Sequence, residues 1–342
     1  IERIINIPWY KHYSPGASIH KLYLDLLLLI KCFIVIKKFK PDIIHAHLHE
    51  GIIIGKILSS IFRIPLVVDM QGSLSWELVE SNSIKSNGII FSFLHLIETF
   101  LYKISPKIIV SSSNLKEKLI NEFKVSKEKI EVVLDAVDVN MLRVNFENVK
   151  NMREELKIPE DRIIIIYTGV LNRAEGIDLL IQAAKHVLAE FKSIHFLIIG
   201  YPNIEEYKKM VFDLNIHDNF TFVGKIKYED LPKYLSIADI AVAPKLSKTE
   251  AHGKIINYFA ASLPVVAFDT EVNREIMGDL GFYAESSPPF DKAFADALKR
   301  VIFNLQTIQP LKEKFRKRIN DEFSWTERIK KIQKIYNEVC KL

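Results

Sequence analysis

The sequence contains very little cysteine. Its two cysteines, Cys32 and Cys340, stand near opposite ends of a chain of 342 residues, so they exclude a disulfide framework and a zinc site built from cysteines. Glycine is also scarce. The chain has 12 glycines, whereas an average of about 7% would give a chain of this length about 24. The scarcity of cysteine favours a reducing, cytoplasmic compartment.

The sequence also lacks an uninterrupted apolar run that could cross a membrane. Its most apolar stretch, residues 22–40, is broken by Asp25 and Lys31, whereas a spanning helix needs about 20 predominantly apolar residues. A second stretch, beginning at Phe91, is interrupted by polar and charged residues. Lysines at the end of the first stretch would allow contact with an anionic bilayer. A core helix is the favoured interpretation, because apolar helical stripes usually face a core.

A strong excess of charge is likewise missing. The chain has 47 basic and 42 acidic residues, so 47 − 42 gives a net charge of +5. This excess is too small for a nucleic-acid-coating protein, and we expect no nucleic-acid partner. A phosphate-bearing ligand or an anionic membrane surface remains compatible with it. The apolar fraction of 49% excludes disorder, and the length predicts two domains.

Short apolar runs alternate with helical patterns along the chain, which is typical of βαβ units and parallel sheets. This pattern predicts an α/β protein with two doubly wound, Rossmann-like domains facing a cleft, where such folds bind ligands. We place the domains at residues 1–145 and 146–322, and expect an amphipathic helix at 323–342 that must dock on another part of the chain. Ten strands are predicted: DIIHAH, PLVVDM, KIIVSS, IEVVLD, RIIIIYTG, IHFLIIG, NFTFVG, IAVAP, PVVAFD and GFYAE.

The segment SKTEAHGKIINYFAASLPVVAFDT, from Ser247, is the most informative. A loop follows the strand that ends at Pro244, and Gly253 and Lys254 then open an apolar helix. The N-terminus of a helix can hold a phosphate through backbone N–H groups, and a lysine adds a point charge. Asn257 follows Lys254 by three residues, on the same helical face.

This arrangement resembles the donor-binding segment of retaining family 4 glycosyltransferases, which have the GT-B fold. Five segments in the right order resemble the family over nearly the whole chain. They are PDIIHAHLHEGIIIGKIL, IPLVVDMQGS, VVLDAVD, IIYTGVLNRAEGIDLLIQA and FSWTERIKKIQKIY. The resemblance implies transfer of a hexose from a nucleotide-diphosphate sugar to a glycan or lipid-linked acceptor, with retention of anomeric configuration. It implies no cofactor and no metal. It also implies that the C-terminal helix, residues 323–342, packs back on the first domain.

The resemblance also assigns roles to residues of this sequence. Glu250 and Lys254 are expected to be catalytic, Gly169, Arg173, Gly253 and Asn257 to bind the donor, and His47 and Gln71 to lie on the acceptor side. The departing phosphate is expected to help deprotonate the acceptor, so no separate base is required.

Several positions depart from the family pattern. Asn257 stands where a glutamate usually grips the ribose, and the match of Glu250 requires a one-residue gap. Val170 and Glu175 replace the usual arginine and lysine of the phosphate loop, and Gln71 replaces a histidine. These losses support an alternative: a non-catalytic homologue that binds a nucleotide sugar without turnover.

A second alternative is a metal-dependent hydrolase. His45, His47 and His49 alternate at a period of two, so an extended strand would point all three imidazoles to one face. Three imidazoles could ligate a metal, especially with Glu50 or Asp69 nearby. The family resemblance already accounts for this strand, which makes the metal interpretation the weaker one.

The family usually has an opening strand, a glycine-rich loop and a further strand before the PDIIHAH segment, but only 40 residues precede Pro41 here, and the first is not methionine. We therefore expect the first domain to be incomplete at its N-terminus. We also expect a cytoplasmic location, peripheral to the inner face of the membrane.

Overall fold

The computed structural model describes residues 2–5, 20–80, 83–142, 149–247, 250 and 252–341. The chain divides into two compact units, one made of Ile1–Val133 with Ile329–Leu342 and the other of Leu134–Arg328. The domain boundary predicted between residues 145 and 146 lies outside the described residues. The division at 133 comes before it, and the division at 328 comes after the predicted one at 322.

The first unit is built on a parallel sheet of four described strands, in the order β1-β2-β3-β4. All four coincide with predicted segments. Their neighbours in the first unit are helices α1 to α5. The strands are β1 (Ile44–His47), β2 (Leu66–Met70), β3 (Ile108–Val110) and β4 (Ile130–Val132). The helices are α1 (His20–Phe39), α2 (Leu48–Phe62), α3 (Leu74–Glu80), α4 (Ile89–Ile104) and α5 (Ser113–Asn121).

Both faces of this sheet are apolar, as expected for parallel strands covered by helices. Val68 packs with the helices after β1 to β3 in one cluster, whereas Val67 and Ile109 pack against Ile335 and Val339 in another. The last two residues belong to the final helix of the chain. The predicted docking of this helix on the first unit therefore uses its second half, since Trp325 and Ile329 remain 51% and 47% exposed.

The second unit contains six described parallel strands in the order β10-β9-β8-β5-β6-β7, again at the predicted segments. The chain switches direction of winding beside β5 and β8, and such switch points open a crevice at the strand ends. The strands are β5 (Ile163–Val170), β6 (Ile194–Tyr201), β7 (Phe220–Gly224), β8 (Ile240–Ala243), β9 (Val265–Phe268) and β10 (Phe282–Ala284).

Helices cover both faces of this second sheet, and its core includes Ile164 to Tyr167, all with no exposed surface. The apolar run Ile163 to Ile166 begins β5, which lies between β8 and β6 in the middle of the sheet. The helices of this unit are α6 (Val149–Glu155), α7 (Ile177–Glu190), α8 (Ile204–Asp213), α9 (Leu231–Ser236), α10 (Gly253–Ala260), α11 (Glu271–Met277), α12 (Phe290–Phe303), α13 (Leu305–Ile308) and α14 (Lys312–Glu322). The final helix, α15 (Trp325–Val339), follows them and belongs mostly to the first unit.

Over the part of the chain that is described, no helix combines the length and the apolar character needed to cross a membrane.

Candidate functional site

A pocket opens in the second unit at the carboxyl ends of β5, β6 and β8. Its volume is about 560 Å³, within the range of about 300–1,000 Å³ usual for small-molecule sites. Its polar lining comes from the loop after β8, the start of α10 and the turn after β5. The residues that the following paragraphs use are Gly169, Glu175, Gly200, Tyr228, Lys245, Glu250, His252, Gly253, Lys254 and Asn257.

Two glycines at the pocket allow the ends of β5 and β6 to lie close together and the Lys254 ammonium group to lie against the backbone of β5. Gly169 has a φ of +145°, a conformation that side chains disfavour. A Cβ built there would lie 2.9 Å from Lys254 Nζ. Gly200, on β6, lies so close to Gly169 that its Cβ would be 1.9 Å from the Gly169 carbonyl oxygen. A side chain at either position would therefore displace the strand ends or the lysine.

Two lysines share one carboxylate in the pocket. Glu175 accepts hydrogen bonds from Lys245 Nζ at 2.8 Å and from Lys254 Nζ at 2.7 Å. Lys245 Nζ also donates to Glu250 Oε2 at 2.5 Å. The network holds two positive and two negative charges, so it is neutral in the absence of a ligand. An anion that enters the pocket therefore competes with carboxylates for the lysines.

Two members of this network, Glu175 and Lys245, keep their charges over a wide pH range. Burial alone would raise the pKa of Glu175, but Lys254 and Lys245 outweigh it and hold the pKa well below its ordinary value. Burial likewise would lower the pKa of Lys245, yet Glu175 and Glu250 raise it. Both partners consequently remain ionised at neutral pH.

Lys254 stands at the start of α10, as the sequence predicts. Its ammonium group lies 4.4 Å from the centre of the Tyr167 ring and is only 11% exposed. A partly desolvated lysine beside a helix N-terminus is well placed to neutralise a phosphate.

His252 immediately precedes α10 and is 3% exposed. Burial, followed by the charges of Lys245 and Lys254, lowers the pKa of His252 to about 3. Its imidazole is therefore neutral at neutral pH and adds no cation to the pocket.

Asn257 lies one turn further along α10, where it accepts a hydrogen bond from the Tyr228 hydroxyl at 2.9 Å. Tyr228 is 48% exposed and lines the same pocket. The amide and the phenol form a polar pair at the pocket wall, which can hydrogen-bond a hydroxyl-bearing ligand.

The structure brings together most of the residues predicted for the donor side. Gly169, Glu250, Gly253, Lys254 and Asn257 all line the pocket. Arg173 is not among the lining residues that are described. Its side chain is 85% exposed and lies 3.5 Å from Asp178, because the 3₁₀ turn Arg173–Glu175 directs Glu175 inward instead.

Lys245 was missed by the sequence reasoning. It directly follows Pro244 at the carboxyl end of β8, and its side chain is 9% exposed. The rule that ligands bind at the carboxyl ends of parallel strands is the signal that would have pointed to it.

The residues predicted for the acceptor side, His47 and Gln71, meet around Asp69 in the first unit. His47 Nδ1 lies 3.4 Å from Asp69 Oδ2, and Gln71 Nε2 donates to Asp69 Oδ1 at 3.2 Å. Whether they contact an acceptor stays a prediction.

The expectation that His45, His47 and His49 share one face is wrong. β1 ends at His47, and Leu48 turns the chain into α2 with a φ of +62°. His49 thereby points elsewhere and contacts Glu98 Oε1 at 2.9 Å. His45 and His47 do stay together, with stacked rings 4.6 Å apart.

Comparisons with known proteins bear on both units. A family model described as glycosyl transferases group 1 matches residues 148–321, and one described as glycosyltransferase family 4 matches residues 7–141. The capsular polysaccharide biosynthesis glycosyltransferase CapM of Staphylococcus aureus is 25% identical over 339 residues, which cover 96% of this chain and 85% of that protein.

Another relative is the UDP-Gal:alpha-D-GlcNAc-diphosphoundecaprenol alpha-1,3-galactosyltransferase of Escherichia coli. It is 23% identical over 318 residues, which cover 91% of this chain and 79% of that protein. Among solved structures, Anabaena HepE in complex with UDP-glucose matches with a TM-score of 0.78 and 15% identity, covering 94% of this chain and 84% of that one. At this identity the structural match establishes the fold alone.

Proposed function

Because the chain belongs to the glycosyl transferases group 1 family and is a glycosyltransferase with the GT-B fold, we propose that it transfers a hexose from a nucleoside-diphosphate sugar. The donor binds in the pocket of the second unit, and the acceptor is a glycan or a lipid-linked glycan. The single observation that carries the donor assignment is the pair Lys245 and Lys254, which converges on one point of that pocket.

The chemistry of transfer explains why this pair matters. The bond between sugar and phosphate breaks through an oxocarbenium-like state, and negative charge grows on the departing diphosphate. Preorganised cations stabilise such charge most strongly where water is excluded. Lys254, at 11% exposure, meets this requirement, and the backbone N–H groups at the start of α10 add to it. Asn257 and Tyr228 would bind hydroxyl groups of the nucleoside.

Reaction with retention of configuration is part of the proposal. The departing phosphate takes the proton of the attacking acceptor hydroxyl on the same face of the sugar, so the protein supplies charge stabilisation and orientation. Glu250 would position Lys245, because Glu250 Oε2 accepts a hydrogen bond from Lys245 Nζ at 2.5 Å.

A lipid-linked or polysaccharide acceptor agrees with the functions that the names of two relatives give. One acts in capsular polysaccharide biosynthesis, and the other is named for a diphosphoundecaprenol-linked acceptor. In this chain, His47 and Gln71 would lie on the acceptor side.

An exposed apolar face on α4 supports peripheral attachment to the inner face of the membrane. Ile89, Phe93, Leu96 and Phe100 follow the spacing of one helical face and are each at least 61% exposed. The opposite face of α4 carries the buried Glu98, Leu101 and Tyr102. A helix that shows its apolar residues to solvent is typical of interfacial binding.

Neighbouring helices extend this apolar surface. α2 contacts both α1 and α4, and it exposes Ile53, Ile57 and Ile61 by 41–58%. Lys37 and Lys38 lie in the last turn of α1, the helix that contacts α2, and they would add positive charge to this surface. Anionic lipids therefore suit the surface better than neutral ones.

Replacing Phe93 and Phe100 together by serine is expected to weaken binding to vesicles that contain phosphatidylglycerol at least about tenfold, because each buried phenylalanine contributes about 1.5–3 kcal/mol. Co-sedimentation measures the effect. The matched control is the double change Phe212→Ser and Phe303→Ser, since these residues of the second unit are 63% and 82% exposed. Equal loss in both variants would contradict attachment through α4.

The donor assignment is tested by titrating the protein with UDP- and GDP-sugars while following thermal stability and the release of free nucleoside diphosphate. Binding accompanied by release in the presence of a lipid-linked acceptor supports the proposal. If nucleotide sugars bind but no nucleoside diphosphate is released with any acceptor, the non-catalytic alternative is favoured. If no nucleotide sugar binds, the donor assignment is refuted.

A further inference from the structure

Two histidines and an aspartate meet at the carboxyl ends of β1 and β2. His45 and His47 lie two residues apart on β1, and Asp69 is the register partner of His47 on β2. One ligand atom from each of the three side chains lies within 4.8 Å of the other two. Imidazole nitrogen and carboxylate oxygen are the donors that zinc, cobalt and nickel ions take in proteins.

The distances from Asp69 to the two histidines are those of ligands around an ion. His45 Nε2 lies 3.5 Å from Asp69 Oδ2, and His47 Nδ1 lies 3.4 Å from the same oxygen. Both exceed the 2.7–2.9 Å of a charge-assisted hydrogen bond. Ligands about 2.1 Å from a tetrahedral ion stand roughly 3.4 Å apart. The side chains are therefore spaced for an ion between them.

The outward-facing atoms of His45 and Asp69 are held by partners that leave the inner atoms of these two residues available. With the proton on Nδ1, His45 donates to the Tyr336 hydroxyl at 2.5 Å. Its Nε2 is buried and makes no hydrogen bond with any described residue. Asp69 Oδ1 is engaged by Gln71, while Oδ2 faces the histidines. Such outer partners orient the ligands of known metal sites.

We propose that His45, His47 and Asp69 bind a divalent transition-metal ion of the zinc class. Three protein ligands leave a fourth position open to water. The His47 ring stacks on His45 at an angle of 9°, so His47 turns about its side-chain bonds to aim a nitrogen at the ion. Its exposure of 64% leaves room for this rotation.

The site would also connect distant parts of the chain. Tyr336 belongs to α15, and its hydroxyl holds His45, so a bound ion stabilises the contact between β1 and α15. Anything that binds only the folded protein raises its stability. Zinc is therefore expected to raise the unfolding temperature of the protein.

The experiment uses the full chain without a histidine tag, dialysed against a chelator, with no nucleotide sugar present. Titration with zinc by calorimetry, and with cobalt by visible absorption, is expected to show one ion per chain. His47→Gln and Asp69→Asn should each weaken zinc binding at least about tenfold, and Tyr336→Phe about 10–100-fold as a positioning residue.

His186→Gln is the matched control. His186 lies in the second unit, is 36% exposed and pairs with Asp291 at 3.0 Å, so its loss should leave zinc binding unchanged. Circular dichroism and the unfolding temperature without metal verify that each variant folds. Absence of saturable zinc binding by the native protein, or undiminished binding by the folded His47→Gln, Asp69→Asn double variant, would overturn the proposal.

Discussion

Replacing Lys254 by methionine is expected to weaken the binding of a UDP-sugar about 10–100-fold and to slow transfer further. Methionine keeps the apolar length of the side chain but removes its charge, and a hydrogen bond to a charged group contributes about 1.5–3 kcal/mol. Calorimetric titration with UDP measures the first effect, and steady-state kinetics the second. A fall in kcat as well as a rise in KM is expected, because the charge on the leaving diphosphate grows in the transition state.

The fold should tolerate this change. Glu175 retains Lys245 as its partner at 2.8 Å, so no buried carboxylate is left alone. Lys233→Met is a suitable control, since that lysine is 63% exposed and pairs only locally with Asp230. Unchanged affinity of the folded Lys254→Met variant would remove Lys254 from the donor site.

Replacing Glu175 by glutamine is expected to act in the opposite direction on nucleotide binding. The Glu175 carboxylate is hydrogen-bonded to both pocket lysines. A diphosphate must compete with this negative group for the same two ammonium groups. Without this competition, UDP affinity should increase about tenfold, or ~1.4 kcal/mol. The free energy of unfolding without nucleotide should fall by about 3 kcal/mol, because Lys254 loses its buried partner. Calorimetry and thermal unfolding with and without UDP measure the two effects.

The effect of Glu175 on stability should depend on pH in a definite direction. In the folded protein its pKa lies well below the ordinary 4.5. The ionised group therefore stabilises the fold above pH 4.5, and this stabilisation is lost as the pH falls through the lowered pKa. The stability difference between the native protein and Glu175→Gln should consequently shrink in acid.

Glu190→Gln, in α7 of the same unit, is the control for the charge change, because Glu190 is 59% exposed. It should alter neither UDP affinity nor the acid dependence of stability. If Glu175→Gln binds UDP more weakly while remaining folded, the carboxylate assists the donor rather than competing with it.

The strands of both sheets could be predicted from the sequence for a simple physical reason. Central parallel strands are covered on both faces, so a run such as Ile163 to Ile166 is apolar throughout. The start of α10 at Gly253 was predictable in the same way, since a polar loop precedes an apolar helical pattern. Local signals of this kind do not depend on distant contacts.

The charge network of the pocket was not predictable from local pattern. Glu175 is separated from Lys245 and Lys254 by 70 and 79 residues, and only the crossover between β5 and β8 brings them together. In the sequence, Glu175 is notable only because it stands where the phosphate loop of the family usually has a lysine. In the fold, it is the shared partner of two lysines whose side chains are largely buried.

The period-two interpretation of the histidines failed for a local reason. The sequence pattern of a strand does not show which residue is its last when a helix begins immediately afterwards. The left-handed Leu48 redirects the chain after His47, so His49 belongs to α2 and turns to Glu98. Asp69, from the neighbouring strand, takes the place that His49 was expected to fill.

The return of α15 to the first unit has a consequence for biosynthesis. Strands β1 to β4 are synthesised early. However, Val67, Ile109 and Val133 pack against Ile335 and Val339, which are synthesised much later. The second unit, Leu134–Arg328, is continuous in sequence and can fold before α15 is synthesised. The unit that is translated first is therefore the last to finish folding, and its uncovered sheet is the surface that a chaperone would protect during translation.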